Sequence, residues 1–588
     1  MASDVEKLKG DVHIPTGVML KRIYKYLKPE MAKFVGAMLL IVCNVVLDII
    51  LPLFVSAITN NLKSEGINLE FVIGMAVAYL AIGVFNQTFL VWESLLLQKA
   101  GQNIIYSLRN EVFAHIEQLS QNQFDEMPVG SLVTRVASYT ASMSDLFTNV
   151  IVKVISNALT VVGVYGIMLY ISWELSLVML AFIVVVFISS FVFRKIVRKI
   201  FTKERQCISD LNTFLNENLS GMKLIQIFNR QEKKDLEFLE KNEHLRKVRY
   251  QVTLAFGLYR PFITLLYILS IAVTFWLGTV FGLDPAMIVA FYLYLSRFFN
   301  PIQNLADQLN NLQKAITASE RLFNLLDVEP EIQDGEECVD IDHFEGKIEF
   351  KNVWFAYKDE EWILKDVSFT INPKETCAFV GATGAGKTTI LGLIVRNYEI
   401  QKGQILIDGR DIRTIKIKSL RKGIGQMLQD VFLFSGSIRS NITLNDDSFT
   451  EQEIEDACKY VNADTFISAQ EHGLDEEVIE RGENFSQGQR QLLSFARTVL
   501  HKPQILILDE ATANIDTETE VVIQQSLEKI RNIGTMLVVA HRLSTIQHAD
   551  RIIVLQNGRV IESGTHQQLL KNKGYYHKLY ELQFENRD

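Results

Sequence analysis

The sequence Gly381-Ala382-Thr383-Gly384-Ala385-Gly386-Lys387-Thr388 decides the fold of the C-terminal part of this chain. It matches G-x-x-x-x-G-K-[ST], a loop whose glycines let the main chain fold closely around a polyphosphate. The apolar run Thr376–Val380 before the loop predicts a buried strand, and Thr389–Ile394 after it predicts a helix. Free N–H groups at the start of such a helix form an anion site. The pattern therefore predicts a phosphate-binding loop between a strand and a helix.

The residues of this loop have distinct expected roles. Lys387 can reach the β- and γ-phosphates of ATP, and the Thr388 hydroxyl can bind Mg²⁺. The expected nucleotide-binding residues are Gly381, Ala382, Thr383, Gly384, Ala385, Gly386, Lys387, Thr388 and Thr389.

A second motif predicts the hydrolytic chemistry. Ile505-Leu506-Ile507-Leu508-Asp509-Glu510 is a run of four aliphatic residues followed by two carboxylates. Such a run is typical of a buried parallel strand, and ligands of parallel sheets bind beyond the C-terminal ends of the strands. Asp509 is then placed to bind Mg²⁺, and Glu510 to act as a base toward the attacking water. The two motifs together predict hydrolysis of a nucleoside triphosphate.

Upstream of the loop, five apolar stretches are long enough, or nearly so, to cross a bilayer core of about 30 Å. They explain why 48% of the 588 residues are hydrophobic. The stretches are Phe34–Val55, Phe71–Trp92, Val154–Ile171, Leu175–Phe193 and Pro261–Phe281. A sixth stretch, Ala286–Ser296, is short and runs into Arg297 and Pro301.

The distribution of basic residues predicts how these stretches are oriented. Lys21, Arg22 and Lys25 precede the first span, and six Lys or Arg residues within 194–205 follow the fourth. Because cytoplasmic loops carry the excess of Lys and Arg, both ends of the chain are expected in the cytoplasm, where ATP is found. An even number of spans is then required, so the sixth stretch is expected to cross as well.

The polar segments give further expectations. Residues 95–145 and 195–255 have helical composition, so the spans are expected to extend into the cytoplasm. Val18–Leu27 is amphipathic and predicts a helix at the membrane surface. Two strands, Lys347–Phe350 and Trp354–Tyr357, are expected to open the soluble domain. The five scattered cysteines are expected to be reduced, and a net charge of −9 gives no support for nucleic-acid binding.

Phe485-Ser486-Gln487-Gly488-Gln489-Arg490-Gln491 resembles the LSGGQ signature of ABC ATPases. The resemblance implies that Ser486, Gln487, Gly488 and Gln489 act on the nucleotide held by an opposite subunit. Other motifs of that family are matched in order. Tyr357 resembles the aromatic residue that stacks on adenine, Gln429 the Q-loop glutamine that reaches Mg²⁺ and water, Glu480–Gly482 the X-loop of exporters, Asp516 the D-loop aspartate, and His541 the switch histidine that holds the γ-phosphate.

The membrane half fits the same family. Phe124-Asp125, Pro128-Val129-Gly130 and Arg135 resemble the first intracellular loop of ABC exporters, and Asn216–Met222 resembles the second. The chain is therefore identified as a type IV ABC exporter half. The resemblance implies a multi-domain fold, with an all-α six-span transmembrane domain that has long cytoplasmic helical extensions, followed by an α/β P-loop ATPase domain. No substrate-binding protein is implied.

This resemblance also gives expected boundaries and coupling contacts. The expected segments are an N-terminal amphipathic elbow (1–30), the transmembrane domain (31–322), a linker (323–346) and the ATPase domain (347–588). Loop tips near Ser138–Asp145 and Asn212–Leu219 are expected to dock on ATPase domains, one of them on the partner subunit.

Two departures from the family pattern predict an asymmetric partner. Gln487 replaces a usual signature glycine, and Ala513 replaces a usual D-loop serine, while Glu510 and His541 are intact. This mixture resembles the Walker-competent subunit of bacterial heterodimeric multidrug exporters, located in the cytoplasmic membrane. A homodimer that tolerates Gln487 is the alternative.

The substrate is less strongly indicated. Asp48, within the first span, and the aromatic residues Phe291, Tyr294 and Phe298 are the expected substrate-cavity residues. They favour small amphiphilic compounds, in particular cations, and hence multidrug efflux. Lipid or peptide export is the alternative, and an ATP-gated regulator or channel is a third reading that the intact Glu510 and His541 disfavour.

Overall fold

The computed structural model describes residues 7, 12–63, 68–358, 361–428, 430–509, 517–539 and 546–584. The chain divides into two compact units. The first, the helical unit, contains Met1–Ile116 and Val129–Val328, and the second, the α/β unit, contains Glu117–Pro128 and Glu329–Asp588. Each expected domain type therefore has a counterpart, but a short piece of the N-terminal half belongs to the α/β unit.

The helical unit confirms the predicted multi-span fold. Its helices are α1 (Thr16–Leu27), α2 (Met31–Lys63), α3 (Leu69–Gln118), α5 (the helical run Val129–Ile171), α6 (Trp173–Ser220), α7 (Met222–Ile227), α8 (Gln231–Val280) and α9 (Pro285–Leu326); the short α4 (Gln121–Asp125) belongs to the α/β unit. Five of the described helical segments are long and apolar enough to cross a membrane. The stretch expected to be the sixth span forms the first part of α9, which is not one of these five, so its crossing stays a prediction. The second part of α9 is polar.

The helices are far longer than a bilayer requires. α3 and α8 each have 50 residues and α6 has 48. At about 1.5 Å per residue, a helix of that length spans about 75 Å, against a hydrocarbon core of about 30 Å. More than half of each helix therefore lies outside the hydrocarbon, which confirms the predicted helical extensions.

Local sequence explains where these helices turn. The Ser172 side chain caps α6 by accepting a hydrogen bond from the Leu175 N–H at 3.3 Å. The Asp284 side chain accepts from the Ala286 N–H at 2.8 Å, and Pro285 occupies the first position of α9. Both features satisfy the helix N-terminus and stop the preceding helix from continuing.

The loop tips do not lie where the sequence placed them. Ser138–Asp145 lies inside α5, and its residues Thr140 and Met143 are fully buried within the helical unit. Asn212–Leu219 lies inside α6, and the turn comes later, at Gly221–Arg230, where α7 lies. Both predictions failed because helical composition continues across the turns and does not mark their position.

The α/β unit contains two main sheets. Its strands are β1 (Ile348–Ala356), β2 (Trp362–Ile371), β3 (Thr376–Gly381), β4 (Lys402–Ile407), β5 (Arg410–Asp411), β6 (Ile424–Met427), β7 (Gly436–Ser437), β8 (Glu477–Val478), β9 (Ile505–Asp509), β10 (Thr535–Val539), β11 (Arg551–Gln556) and β12 (Arg559–Gly564). The larger sheet has six strands in the order β12-β11-β3-β10-β9-β6, and the smaller has four in the order β2-β1-β4-β5.

Helices pack around these sheets. They are α10 (Lys387–Ile394), α11 (Ile417–Lys422), α12 (Ile438–Thr443), α13 (Glu451–Tyr460), α14 (Asp464–Ser468), α15 (Gln487–Leu500), α16 (Thr517–Ile530), α17 (His566–Asn572) and α18 (Tyr575–Phe584). The predicted strand–loop–helix at Thr376–Ile394 is confirmed. The two strands expected at 347–357 are instead one strand, β1, whose pairing with β2 shifts register between Phe350 and Val353.

Candidate nucleotide-binding site

The site forms at the C-terminal edge of the larger sheet. β3 and β9 lie on either side of β10 and run parallel to it. In this register Val539 is opposite both Phe379 and Asp509, so the end of β9 is level with Phe379, shortly before the phosphate loop begins at Gly381. The sheet therefore holds the Asp509 carboxylate and the loop at one edge, where ligands of parallel sheets bind.

The phosphate loop needs its glycines. Gly384 and Gly386 have φ angles of +80° and +100°, in a region that side chains disfavour. A Cβ atom on Gly386 would lie 2.6 Å from Leu364 Cδ2, and one on Gly381 would lie 2.4 Å from the Leu555 carbonyl oxygen. The loop is therefore pressed against the neighbouring strands and cannot widen to admit side chains.

The Lys387 side chain closes over this loop. It is buried, and its ammonium donates hydrogen bonds to the carbonyl oxygens of Gly381 at 2.7 Å and Ala382 at 3.1 Å. Burial lowers the pKa of Lys387, and the nearby Asp509 charge opposes that effect. An anionic phosphate at this point would compensate the buried positive charge better than neutral carbonyls do.

The main chain offers free donors at the same place. Across the described parts of the chain, nothing accepts a hydrogen bond from the N–H groups of Gly384, Gly386, Lys387 or Thr388. These groups surround the N-terminus of α10, and Gly384 and Thr388 are exposed. Free, accessible donors at a helix N-terminus fit a polyphosphate.

The residues present also fit Mg²⁺. The described residues contain no cluster of three or more His, Cys, Asp or Glu side chains that could hold a metal by themselves. Mg²⁺ bound to a nucleotide needs fewer protein ligands, because phosphate oxygens and waters supply most of its coordination. The exposed Thr388 hydroxyl and the Asp509 carboxylate are the protein ligands that this edge offers.

Tyr357 lies beside the same helix. Its hydroxyl shares a hydrogen bond of 3.0 Å with the Thr389 hydroxyl on α10. Its ring meets Phe355 and Tyr398 edge to face at 4.9 and 5.1 Å, and 41% of the residue is exposed. The ring thus lies beside α10 and is partly exposed, an arrangement that suits stacking on a flat base.

Three expected catalytic residues and the expected D-loop aspartate lie outside the described residues. They are Gln429, Glu510, Asp516 and His541. Glu510 directly follows the last residue of β9 in the sequence. Their roles stay predictions of the sequence.

Known proteins match this chain along most of its length. The family models "ABC transporter transmembrane region" and "ABC transporter" match residues 34–302 and 364–513. A Bacillus subtilis (strain 168) protein named "Probable multidrug resistance ABC transporter ATP-binding/permease protein YheH" is 38% identical, over 85% of this chain and 75% of its own length. The "ATP-dependent lipid A-core flippase" of Syntrophus aciditrophicus (strain SB) is 32% identical, over 96% of this chain and 95% of its own length.

This chain belongs to the ABC transporter family. A solved structure titled "Structure of a bacterial Atm1-family ABC exporter with ATP bound" shares its fold with a TM-score of 0.78 and 26% identity, over 95% of this chain and 98% of that one. The chain is thus a multi-pass membrane protein and an ABC exporter that couples ATP hydrolysis to transport.

The segment expected to be the signature of this ABC exporter forms the start of α15. Ser486 caps the helix: its hydroxyl accepts from the Gln489 N–H at 3.2 Å, and the Gln489 side chain accepts from the Ser486 N–H at 2.9 Å. Among the described residues, nothing accepts a hydrogen bond from the Ser486 hydroxyl, so its proton can be donated to an anion. Gln487 is the first residue of the helix and is half-buried, and Gly488 is buried.

A short segment of the N-terminal half is bonded into the exporter's α/β unit. Helix α4 is capped by Ser120, whose hydroxyl also donates to Glu331 at 3.0 Å. Asp125 at the end of α4 accepts a hydrogen bond of 3.0 Å from the Tyr398 hydroxyl, and Glu126 pairs with Lys358 at 3.0 Å. Sequence reasoning missed these contacts, although the capping-box spacing Ser120-x-x-Gln123 is a signal for the helix start.

The four expected substrate residues lie elsewhere. Phe291, Tyr294 and Phe298 are buried in the core of the helical unit, and the Tyr294 hydroxyl donates to the Ile49 carbonyl oxygen at 2.6 Å. Asp48 forms an ion pair of 2.7 Å with Arg297. Their placement favours packing and charge pairing, and contact with substrate stays a prediction.

Proposed function

We propose that this ABC exporter moves amphiphilic compounds outward across the bacterial cytoplasmic membrane as one half of a heterodimer. The observation that carries the ATP-dependent part is the phosphate loop: free N–H donors and the buried Lys387 ammonium lie at the sheet edge that also presents Asp509. Both ends of the chain are proposed to be cytoplasmic, with the elbow at 1–30, the transmembrane domain at 31–322, the linker at 323–346 and the ATPase domain at 347–588.

In the proposed reaction, water attacks the γ-phosphate of ATP in line with the leaving group. Lys387 and the loop N–H groups stabilise negative charge that grows in the transition state. Thr388 and Asp509 would hold Mg²⁺, which supplies further charge stabilisation when bound. Glu510 orients or deprotonates the water, while Gln429 and His541 hold water and γ-phosphate. Tyr357 stacks on adenine.

The signature at the start of α15 is proposed to act on the nucleotide of the partner subunit. The free Ser486 hydroxyl and the helix N-terminus are suited to an anion. Gln487 adds a long side chain at the first helical position, where the family usually has glycine, and this restricts the approach of the opposite loop. We infer that the nucleotide site formed by this signature and the partner's phosphate loop hydrolyses ATP slowly. The other site, which contains Glu510, is completed by an intact signature of the partner.

Coupling is proposed to use two contact points. Helix α4 carries the first, through the bonds of Ser120, Asp125 and Glu126 within the α/β unit. The second is the tip around α7, where Leu224, Ile227 and Phe228 are 62%, 68% and 65% exposed. An apolar cluster of this kind at a loop tip suits burial against another protein surface, which we propose to be the partner's ATPase domain.

Relatives support two substrate classes. One relative is named for multidrug resistance and another for lipid A-core flipping. We favour soluble amphiphiles, including several drugs; a homodimeric lipid or peptide exporter is the second candidate.

The test is ATP-dependent accumulation of fluorescent amphiphiles in inverted membrane vesicles that contain the chain and its partner. The two probes are rhodamine 6G, a cation, and 8-anilino-1-naphthalenesulfonate, an anion. Accumulation of either probe that needs ATP supports export. Active ATPase without accumulation of any probe, including a labelled lipid, contradicts it and favours an ATP-gated regulator or channel.

A further inference from the structure

The helical unit contains a cavity of about 1180 Å³ between helices α5, α6, α8 and α9. Its walls are aromatic and strongly basic. The basic side chains that line it are Arg194, Arg198, Arg205, Arg260, Lys314 and Arg321, and among the described lining residues Glu204 is the one that carries a carboxylate.

On α6, arginines line this cavity, whereas the neighbouring lysines do not. Arg194, Arg198 and Arg205 all line it, whereas Lys195, Lys199 and Lys203 of the same stretch do not. The arginines are four and seven residues apart, a spacing that places them on one helix face. The preference for positive charge in cytoplasmic segments applies to arginine and lysine alike. It therefore does not explain why the arginines of this stretch line the cavity and the lysines do not. The planar guanidinium group of arginine can donate two parallel hydrogen bonds to the oxygens of a carboxylate, sulfonate or phosphate.

Within the part of the chain that the structure describes, these cations have no acidic partner. Glu204 pairs with Arg249, which is not part of the lining, at 3.3 Å. The Arg321 guanidinium donates to the neutral Tyr139 hydroxyl at 2.8 Å. For Arg194, Arg198, Arg205 and Lys314, the described part of the chain provides no ion pair. A concave wall with this excess of one charge attracts and concentrates anions.

An apolar surface lies beside the cations. The rings of Phe193 and Tyr259 stack at 3.8 Å with only 5° between their planes, and Phe256 meets Phe193 edge to face at 5.2 Å. All three rings line the cavity. The lining therefore combines cations that can bind an acidic head with aromatic rings that can contact an apolar body.

We propose that the exporter's substrate is an anionic amphiphile, an acidic head joined to an aromatic or aliphatic body, which binds in this cavity. The inference rests on the proposed export function and replaces the expected preference for cations. In this proposal, Arg194, Arg198 and the Phe193–Tyr259 pair bind the substrate. Asp48 does not take part, because its carboxylate forms an ion pair with Arg297.

The test compares two double variants that remove the same charge from the same turn of α6. Arg194→Gln with Arg198→Gln should lower ATP-dependent accumulation of 8-anilino-1-naphthalenesulfonate by about tenfold or more, since one charge-assisted hydrogen bond contributes on that order. Lys195→Gln with Lys199→Gln should leave it unchanged. Equal accumulation in the two double variants would overturn the proposal.

A measurement on the unchanged exporter covers the case in which the arginine variant does not assemble. Wild-type vesicles should accumulate the anionic probe and exclude rhodamine 6G. Accumulation of rhodamine 6G alone would overturn the anion site while leaving export intact; accumulation of no probe would contradict the export function itself.

A fluorescently labelled phosphatidylglycerol distinguishes the two possible sources of the acidic head. If it is flipped, the substrate is an acidic lipid, and if only the soluble anion moves, it is a free organic anion.

Discussion

The Tyr398 hydroxyl donates a hydrogen bond of 3.0 Å to the carboxylate of Asp125, at the end of helix α4. The Tyr398 ring meets the Tyr357 ring edge to face at 5.1 Å, and the Tyr357 hydroxyl shares a hydrogen bond of 3.0 Å with Thr389 on α10. Burial, and then the bond to Asp125, raises the pKa of Tyr398, so this phenol keeps its proton at physiological pH. A continuous set of contacts thus runs from α4 to the proposed adenine platform.

Replacing Tyr398 with Phe should weaken coupling while sparing ATP binding. The ring packing stays, but a hydrogen bond to a charged group is lost, and such a bond contributes about 1.5–3 kcal/mol. We expect the number of probe molecules moved per ATP hydrolysed to fall several-fold, measured in vesicles. Tyr576→Phe is the control, because it removes another tyrosine hydrogen bond of the same unit, 2.7 Å long, to His566. The same fall in both variants would mean that general stability, and not this contact, is responsible.

The sequence predicts the phosphate loop correctly because its requirements are local. A strand of apolar residues, glycines with positive φ and a helix that starts at Lys387 are all encoded within about twenty adjacent positions. The same holds for the buried strand that ends at Asp509. For such elements, the pattern and the structure depend on the same few residues.

Contacts between distant parts of the chain are not encoded in this way. Asp125 and Tyr398 are 273 positions apart, and no sequence pattern around either residue indicates that they are in contact. The loop tips were misplaced for a similar reason, since Ser138–Asp145 and Asn212–Leu219 are as helical as their surroundings. The cavity on α6 was missed too, because separating Arg194 and Arg198 from Lys195 requires knowledge of which helix face the neighbours cover.

Gly386→Ala should weaken ATP binding. The alanine has to adopt a φ of +100°, and its Cβ atom would lie 2.6 Å from Leu364 Cδ2, so either the Leu364 side chain or the loop has to shift. We expect fluorescent ATP analogues to bind at least about tenfold more weakly, in line with a strain of 1–3 kcal/mol.

Gly409→Ala is the matched control for that variant. Gly409 also has a positive φ, +78°, but nothing lies within 4 Å of an added Cβ atom. This substitution should lower the thermal midpoint slightly and leave ATP affinity unchanged. If Gly386→Ala binds ATP as well as Gly409→Ala does, the tight fit of the loop is unimportant for nucleotide binding.

Glu510→Gln should bind ATP and hydrolyse it at least about a hundredfold more slowly, the loss expected for a general base. The measurement is steady-state phosphate release, made with the partner's own catalytic site disabled so that only this site turns over. Retained ATP binding distinguishes lost chemistry from a collapsed site. Near-normal phosphate release would show that Glu510 is not the base.

Phe228→Asn with Ile227→Asn should uncouple transport without unfolding the chain. Both side chains are about two-thirds exposed at 65% and 68%, so the folded chain itself should lose no more than about 0.5 kcal/mol. If the tip docks on the partner's ATPase domain, probe accumulation should fall several-fold while ATP still binds. Leu582→Asn, at a residue that is 70% exposed on α18, is the control. Unimpaired transport in the tip variant would exclude this coupling route.

Gln487→Gly should raise ATPase activity little, although it restores the usual signature residue. Gln487 begins α15 and faces, in the proposed heterodimer, a partner Walker side that lacks its glutamate. Repairing the signature alone would leave that site without a base, so the slow step would remain. In a homodimer the same signature would serve Glu510 directly, and the substitution should then raise turnover several-fold. Purification of the tagged chain gives an independent answer: a second half-transporter should co-purify with it, whereas a stable homodimer with full, probe-stimulated ATPase activity would establish the symmetric alternative.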